Sequence, residues 1–258
     1  MTPPMGDWAP PAQAGPTAAA LRALHRPGEP VVLANAWDAA SARAVATAGF
    51  RAVATSSAAV AKSLGYADGE RTPVDEMLDA VARIARSVPV PVTADIERGY
   101  GLRPAELVER LLATGAVGCN LEDSSPRDRT LVDVDRQAEF LAEVRAAAGP
   151  ELVVNARVDP YIRGVADPLP VAVDRCRRYL AAGADSVYPI GAATADDIAA
   201  LVEGAGGPVN VLATPQTPPL ATLARLGVAR ISYGEGLFDD VYATHARMLA
   251  RIAADGWS

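Results

Sequence analysis

Only two cysteines and two histidines occur in the 258 residues, and each scarcity removes a class of chemistry. Cys119, inside an apolar run, and Cys176, inside a helical pattern, cannot build a disulfide framework and read as buried free thiols of a reducing compartment. His25 and His245 are expected on the surface, so no histidine-based catalysis is assigned. Basic charge is also short. Lys and Arg number 24 against 31 Asp and Glu, a net charge of −7, which argues against nucleic acid or an anionic membrane as partner. No apolar run reaches the roughly 20 residues that span a bilayer, and the start, rich in Pro and Ala, lacks the basic and apolar regions of a signal peptide. No internal repeat or nucleotide-binding loop is present. The expectation is a cytoplasmic protein with a small-molecule ligand, residues 1–17 forming a disordered tail and 18–258 one folded domain.

What is present is a regular alternation. Half of the residues are hydrophobic, enough for a substantial core, and they switch between strand-like and helical periods. Strands are predicted at 31–35, 52–55, 90–95, 117–122, 152–156, 186–189, 209–212 and 229–232. Helices are predicted near 38–48, 73–87, 104–114, 134–147, 169–182, 195–203, 218–226 and 236–253. Gly49, Gly115, Gly183 and Gly227 stand where helices should end, and Pro73 and Pro104 where helices should begin. Eight such rounds without a break in composition predict a single-domain α/β fold, a (β/α)8 barrel of the TIM type.

A barrel of this kind builds its site from the C-terminal ends of its strands, and the polar residues fall there. Asp95 and Glu97 end the third predicted strand and share a face, as do Asn120 and Glu122 on the fourth. With neighbouring strands about 4.8 Å apart, three carboxylates should converge, a cluster that needs a proton, a basic group or a hard cation. Oxygen ligands favour Mg²⁺ over zinc, with Mn²⁺ the alternative. A salt bridge to Arg98 or a solvated loop is the plainer account of the same acids. Arg157, two residues after Asn155, either clamps an anion or pairs with Asp159 or Glu122. Ser56 and Ser57 read alone as caps of a short helix. Trp37 reads as packing or as a substrate contact, and Asp38 as a helix cap or a site acid. Asn120, Asn155 and Asn210 either satisfy buried groups or touch ligand. Tyr100 either enters the site or covers the loop.

The segments 35–43 (Asn-Ala-Trp-Asp-Ala-Ala-Ser-Ala-Arg), 55–57 (Thr-Ser-Ser), 65–69 (Gly-Tyr-Ala-Asp-Gly), 95–101 (Asp-Ile-Glu-Arg-Gly-Tyr-Gly), 120–123 (Asn-Leu-Glu-Asp) and 155–159 (Asn-Ala-Arg-Val-Asp) together resemble the isocitrate lyase/phosphoenolpyruvate mutase superfamily. The match runs in order over nearly the whole folded chain. The resemblance implies Mg²⁺-dependent chemistry on small anionic 2-oxo acids through an enolate. It further implies a homo-oligomer, dimer or tetramer, whose last helix is exchanged between subunits. By position it makes Asp95, Glu97 and Glu122 the metal-site acids, and Asp68 and Arg157 the catalytic candidates. Trp37, Ser56, Ser57, Asn120 and Asn155 join Arg157 as substrate-binding candidates. Ser56 and Ser57 would hold the substrate carboxylate.

The departures narrow the reaction. Glu97 is longer than the aspartate usual there. No Lys-Lys-Cys-Gly-His motif is present, which argues against isocitrate cleavage. The loop from Ser124 to Thr130 differs from the mutase gating loop, and Ile190 stands where a mutase has histidine. The expected activity is carbon–carbon cleavage of a 2-oxo or 2-hydroxy dicarboxylate, oxaloacetate- or methylisocitrate-like. The alternatives are a phosphonomutase acting on a phosphoenolpyruvate-type substrate and a non-catalytic 2-oxo acid sensor.

Overall fold

A computed structural model describes residues 17–255. The expected disordered tail therefore lies, but for Thr17, outside the described residues. Among the described residues nine strands follow in chain order: β1 (Val31–Leu33), β2 (Asn35–Ala36), β3 (Val53–Thr55), β4 (Val92–Asp95), β5 (Gly118–Glu122), β6 (Val153–Val158), β7 (Ser186–Pro189), β8 (Asn210–Leu212) and β9 (Arg230–Ser232). All of their pairings are parallel. One run is ordered β2-β3-β4-β5-β6-β7 and the other β1-β9-β8. A parallel bridge between Val187 and Val209 joins them on one side. On the other, β1 and β2 are two halves of one strand broken at Ala34. The ring closes as the eight-stranded barrel expected, and closure leaves no exposed sheet edge.

Helices α1 (Ala18–Arg22), α2 (Ala39–Thr47), α3 (Ser57–Leu64), α4 (Val74–Ala85), α5 (Pro104–Ala113), α6 (Val134–Ala148), α7 (Pro168–Ala181), α8 (Ala195–Ala205), α9 (Leu220–Arg225) and α10 (Gly236–Asp255) complete the fold. Eight match the predicted helices, and α1 and α3 are additions. Asp38 caps α2 through a reciprocal pair with Ser41, which settles its role as structural. The four glycines expected after helices all have positive φ.

Strand parity separates two environments. Outward residues such as Ala94, Cys119, Leu121, Val154, Ala156 and Val187 join the main apolar core under the helices. Inward residues form layers. At the N-terminal end, Leu21 and Leu24 meet Val31, Leu33, Ala54 and Val153, so α1 plugs the barrel from below. Contact is close enough that a Cβ on Gly118 would lie 2.7 Å from Leu21 Cδ2, so any side chain there would have to displace the α1 plug. Above it the interior turns polar, with Asn120, Asn155 and Ser186 in register, then Glu122, Arg157 and Tyr188. His25, expected at the surface, is buried in this interior, because docking of α1 carries it beneath the barrel. No helix among the described residues is long and apolar enough to cross a membrane.

Candidate active site

A cavity of about 470 Å³ opens at the C-terminal ends of the strands. Eight of the ten candidate residues line it: Ser56, Ser57, Asp68, Asp95, Glu97, Asn120, Glu122 and Arg157. Trp37 and Asn155 do not. Trp37 instead packs edge-on against Phe238 of α10, with ring centroids 5.2 Å apart. Asn155 sits one layer lower, donating to Asn120 Oδ1 at 2.8 Å and accepting from Ser186 Oγ at 2.7 Å.

Asp95 is the centre of the arrangement. Its Oδ2 accepts from both the backbone N–H and the hydroxyl of Ser57, at 3.1 and 2.9 Å. Its Oδ1 is buried and has no partner among the described residues. Ser57 is the first residue of α3, whose N-terminus brings its partial positive charge to the cavity, while Ser56 caps that helix through Ala59 N–H. The serines are therefore caps and cavity-lining residues at once. The Ser57 hydroxyl also approaches Asp68 at 3.5 Å, and burial, then Asp95, pushes the Asp68 carboxyl up.

The other two acids are turned to protein partners. Glu97 has left-handed backbone (φ 51), and its carboxylate accepts from Glu70 N–H at 2.6 Å and Tyr100 O–H at 2.9 Å. Glu70 in turn accepts from Tyr100 N–H at 2.6 Å, so this clasp ties the loop after β4 to the loop after α3. Tyr100 thus covers the loop and is not among the cavity-lining residues. Burial, then the charge of Asp68, pushes Glu97 up to about 7. Glu122 pairs with Arg157, yet burial outweighs that pairing and pushes it up to about 8. Arg157 also makes a fork to Asp159, at 2.8 and 3.0 Å. Both competing ion pairs foreseen for it exist, and Arg157 lines the cavity as well.

Three acids do reach one cavity, but among the described residues no three His, Cys, Asp or Glu side chains converge at direct-ligand spacing. Backbone parity had suggested convergence; Glu70 on a neighbouring loop and Tyr100 redirect Glu97, and Arg157 on the adjacent strand redirects Glu122. The unpartnered, buried Asp95 oxygen in an all-oxygen setting still fits a hard divalent cation. Sequence reasoning did not single out Arg163, Tyr188, Ser232 or Tyr233, which also line the cavity. Tyr188 and Ser232 could have been found from strand-end position alone.

The family model for phosphoenolpyruvate phosphomutase matches residues 21–253. The chain belongs to that family. Among its relatives is an oxaloacetate decarboxylase of Pseudomonas savastanoi pv. phaseolicola, 30% identical over 84% of this chain and 78% of the other. A solved Burkholderia cenocepacia J2315 chain, provisionally named a phosphonomutase, is 42% identical, with a TM-score of 0.86 over 91% of this chain and 99% of that one. A phosphonopyruvate hydrolase solved with oxalate and Mg²⁺ is 28% identical, with a TM-score of 0.84 over 93% and 88%. The superfamily comprises metal-dependent lyases and mutases that act on small 2-oxo acids, and the cavity occupies the place where barrel enzymes carry their chemistry.

Proposed function

We propose that this phosphomutase-family protein is a Mg²⁺-dependent lyase of a small 2-oxo dicarboxylate, with oxaloacetate the nearest model substrate. The observation that carries the reading is the Asp95 carboxylate, one oxygen tied to Ser57 at the α3 N-terminus and the other buried and unpartnered. Asp95 would hold the ion, with Glu97 and Glu122 as the surrounding acids. When bound, Mg²⁺ would supply positive charge to the developing enolate oxygen.

The remaining work falls to the chain. In decarboxylation the bond to the β-carboxylate breaks, CO₂ leaves, and the electron pair passes into an enolate that a proton then converts to the 2-oxo product. Arg157 places a fixed positive charge on the cavity wall, where it clamps the carboxylate of the substrate. Asp68, held protonated more readily by burial and by Asp95, stands beside Ser57 as the proton-handling group. Ile162, Ile190, Leu212 and Pro215 give the cavity an apolar side that limits water around the enolate.

Phosphonomutase chemistry is the second reading, favoured by Arg129 and Arg163 in the lining. The apolar Ile190 speaks against it, because a transferring phosphoryl group needs donors on every side. Proton and phosphorus NMR with oxaloacetate, methylisocitrate, phosphonopyruvate and phosphoenolpyruvate, each with and without Mg²⁺, separates the readings. The expected result is Mg²⁺-dependent loss of oxaloacetate above the uncatalysed rate. Conversion of phosphonopyruvate with no cleavage of any carbon–carbon substrate would reverse the ranking. Tight binding without turnover would identify a sensor.

A further inference from the structure

Beneath the cavity the barrel interior holds a guanidinium that, among the described residues, pairs with no acid. Arg230, on β9, is 1% exposed, and among the described residues no carboxylate lies within ion-pair distance of it. Its hydrogen-bond partners, Asn120 and His25, are polar and uncharged, and the charge of Asp95 acts on it only from beyond ion-pair distance. A buried cation without a counter-ion is costly, so its hydrogen bonds indicate what it is retained for.

Arg230 Nη2 donates to Asn120 Oδ1 at 3.1 Å, and Asn155 Nδ2 donates to the same oxygen at 2.8 Å. A guanidinium has donors and no acceptor. The Asn120 atom that meets it must therefore be the carbonyl oxygen, since the flipped amide would set N–H against N–H. His25 supports the same side of Arg230. Its Nδ1 meets the Leu21 carbonyl at 2.9 Å, which requires an N–H there, so Nε2 carries the lone pair that faces Arg230 Nη1 at 3.5 Å. With Oδ1 committed to the barrel interior, Asn120 Nδ2 has no acceptor among the described residues. Asn120 lines the cavity beside Asp95, its register partner on β4.

We propose that Arg230 is a positioning residue that locks the Asn120 carboxamide with its NH₂ group towards the cavity, so that Asn120 donates a hydrogen bond to an oxygen of the bound 2-oxo acid. This rests on the reading of the cavity as a 2-oxo acid site. The unneutralised charge then has a use: it polarises the carboxamide into a stronger donor and raises the potential where an anion binds.

Oxalate, a small dianion, is the probe, titrated calorimetrically in the presence of Mg²⁺ into the wild type, Asn120→Ala, Arg230→Met, Arg230→Lys and the Asn120→Ala/Arg230→Lys double variant. Asn120→Ala and Arg230→Met should each weaken binding about tenfold, the scale of one hydrogen bond to a charged group. Arg230→Lys keeps the charge but loses the fork, and should weaken binding severalfold. In the Asn120→Ala background it should have no further effect. Multiplying losses in the double variant, or unchanged affinity in both Arg230 variants, would overturn the proposal. Should Arg230→Met fail to fold, the Arg230→Lys cycle carries the test by itself. The Asn120 side-chain amide pair, identified in nitrogen-15 spectra by its loss in Asn120→Ala, should be dispersed in the wild type and collapse towards free-amide shifts in Arg230→Lys. A merely structural arginine would leave it in place, which would also count against the proposal. If the wild type fails to bind oxalate while that pair behaves as expected, the site reading falls and the orientation stands.

Discussion

Lowering the pH should cost this protein stability through His25, by an amount set by where α1 puts it. The imidazole is buried between the Leu21 carbonyl and Arg230. Burial, then the Arg230 charge, lowers its pKa from 6.5 to about 4; Asp185 opposes this and Arg22 adds to it. Between those values the unfolded chain binds the proton and the folded protein does not. The stabilising contribution of the neutral ring is therefore complete above about pH 6.5 and is lost as the pH falls towards 4. At about 1.4 kcal/mol per pH unit the whole window amounts to about 3 kcal/mol, of which about 2 kcal/mol disappears between pH 7 and pH 4.5. His25→Gln keeps a donor for Leu21 and an acceptor for Arg230 but cannot titrate. Urea unfolding of both proteins at the two pH values provides the assay. Glu97 and Glu122, raised to about 7 and about 8, pull the other way in both proteins, so the difference between proteins isolates His25. The wild type should lose about 2 kcal/mol more than His25→Gln on acidification. Equal losses would refute the reasoning.

Asp95→Ala removes the unpartnered oxygen and the acceptor of two Ser57 donors. Calorimetry should show Mn²⁺ binding lost, with about 1–3 kcal/mol of destabilisation from the orphaned donors; undiminished Mn²⁺ affinity would move the ion elsewhere. Treatment with EDTA should abolish oxalate binding by the wild type, and an unchanged affinity would remove the metal from the proposal. Arg157→Ala leaves Glu122 without its cation and Asp159 with Arg163 alone, and should destabilise by about 3–5 kcal/mol. Arg157→Lys retains the charge without the fork and is expected to raise KM for oxaloacetate at modest cost in Tm; an unaltered KM would make Arg157 purely structural. Val241, Tyr242, Met248, Leu249 and Ile252 leave α10 with an exposed apolar face, and light scattering at micromolar concentration should give at least a dimer. Leu249→Asp should shift that assembly towards monomer, and a monomeric wild type would remove the shared-helix expectation.

The barrel was legible because its signals are local. Strand and helix periods, glycines after helices and prolines at first turns act over a few residues, so their order predicts the eight rounds without knowledge of any contact. The same locality explains the misses. Helix α1 has five residues and α3 eight, too short for a clear apolar period, and each is held by what it packs against. Asp95, Asn120 and Glu122 were readable as cavity residues because parity and strand-end position are properties of the chain alone.

What tertiary structure decided is where those side chains spend their hydrogen bonds. Glu97 meets Glu70 and Tyr100, and Glu122 meets Arg157, a residue on the next strand. Those meetings depend on loop paths and on burial, neither of which a strand pattern encodes, so among the described residues the three acids on adjacent strand ends do not converge at direct-ligand spacing. His25 read as a surface residue because it stands in the leading helical region, outside the eight predicted rounds, whereas the docking of α1 places it against Arg230, a residue 205 positions away. The sequence by itself determined the barrel and the end at which its polar residues gather. Only the closed ring determined which of them remain free for a ligand, because a buried polar group takes the nearest available partner and proximity across a barrel is set by closure and not by sequence distance.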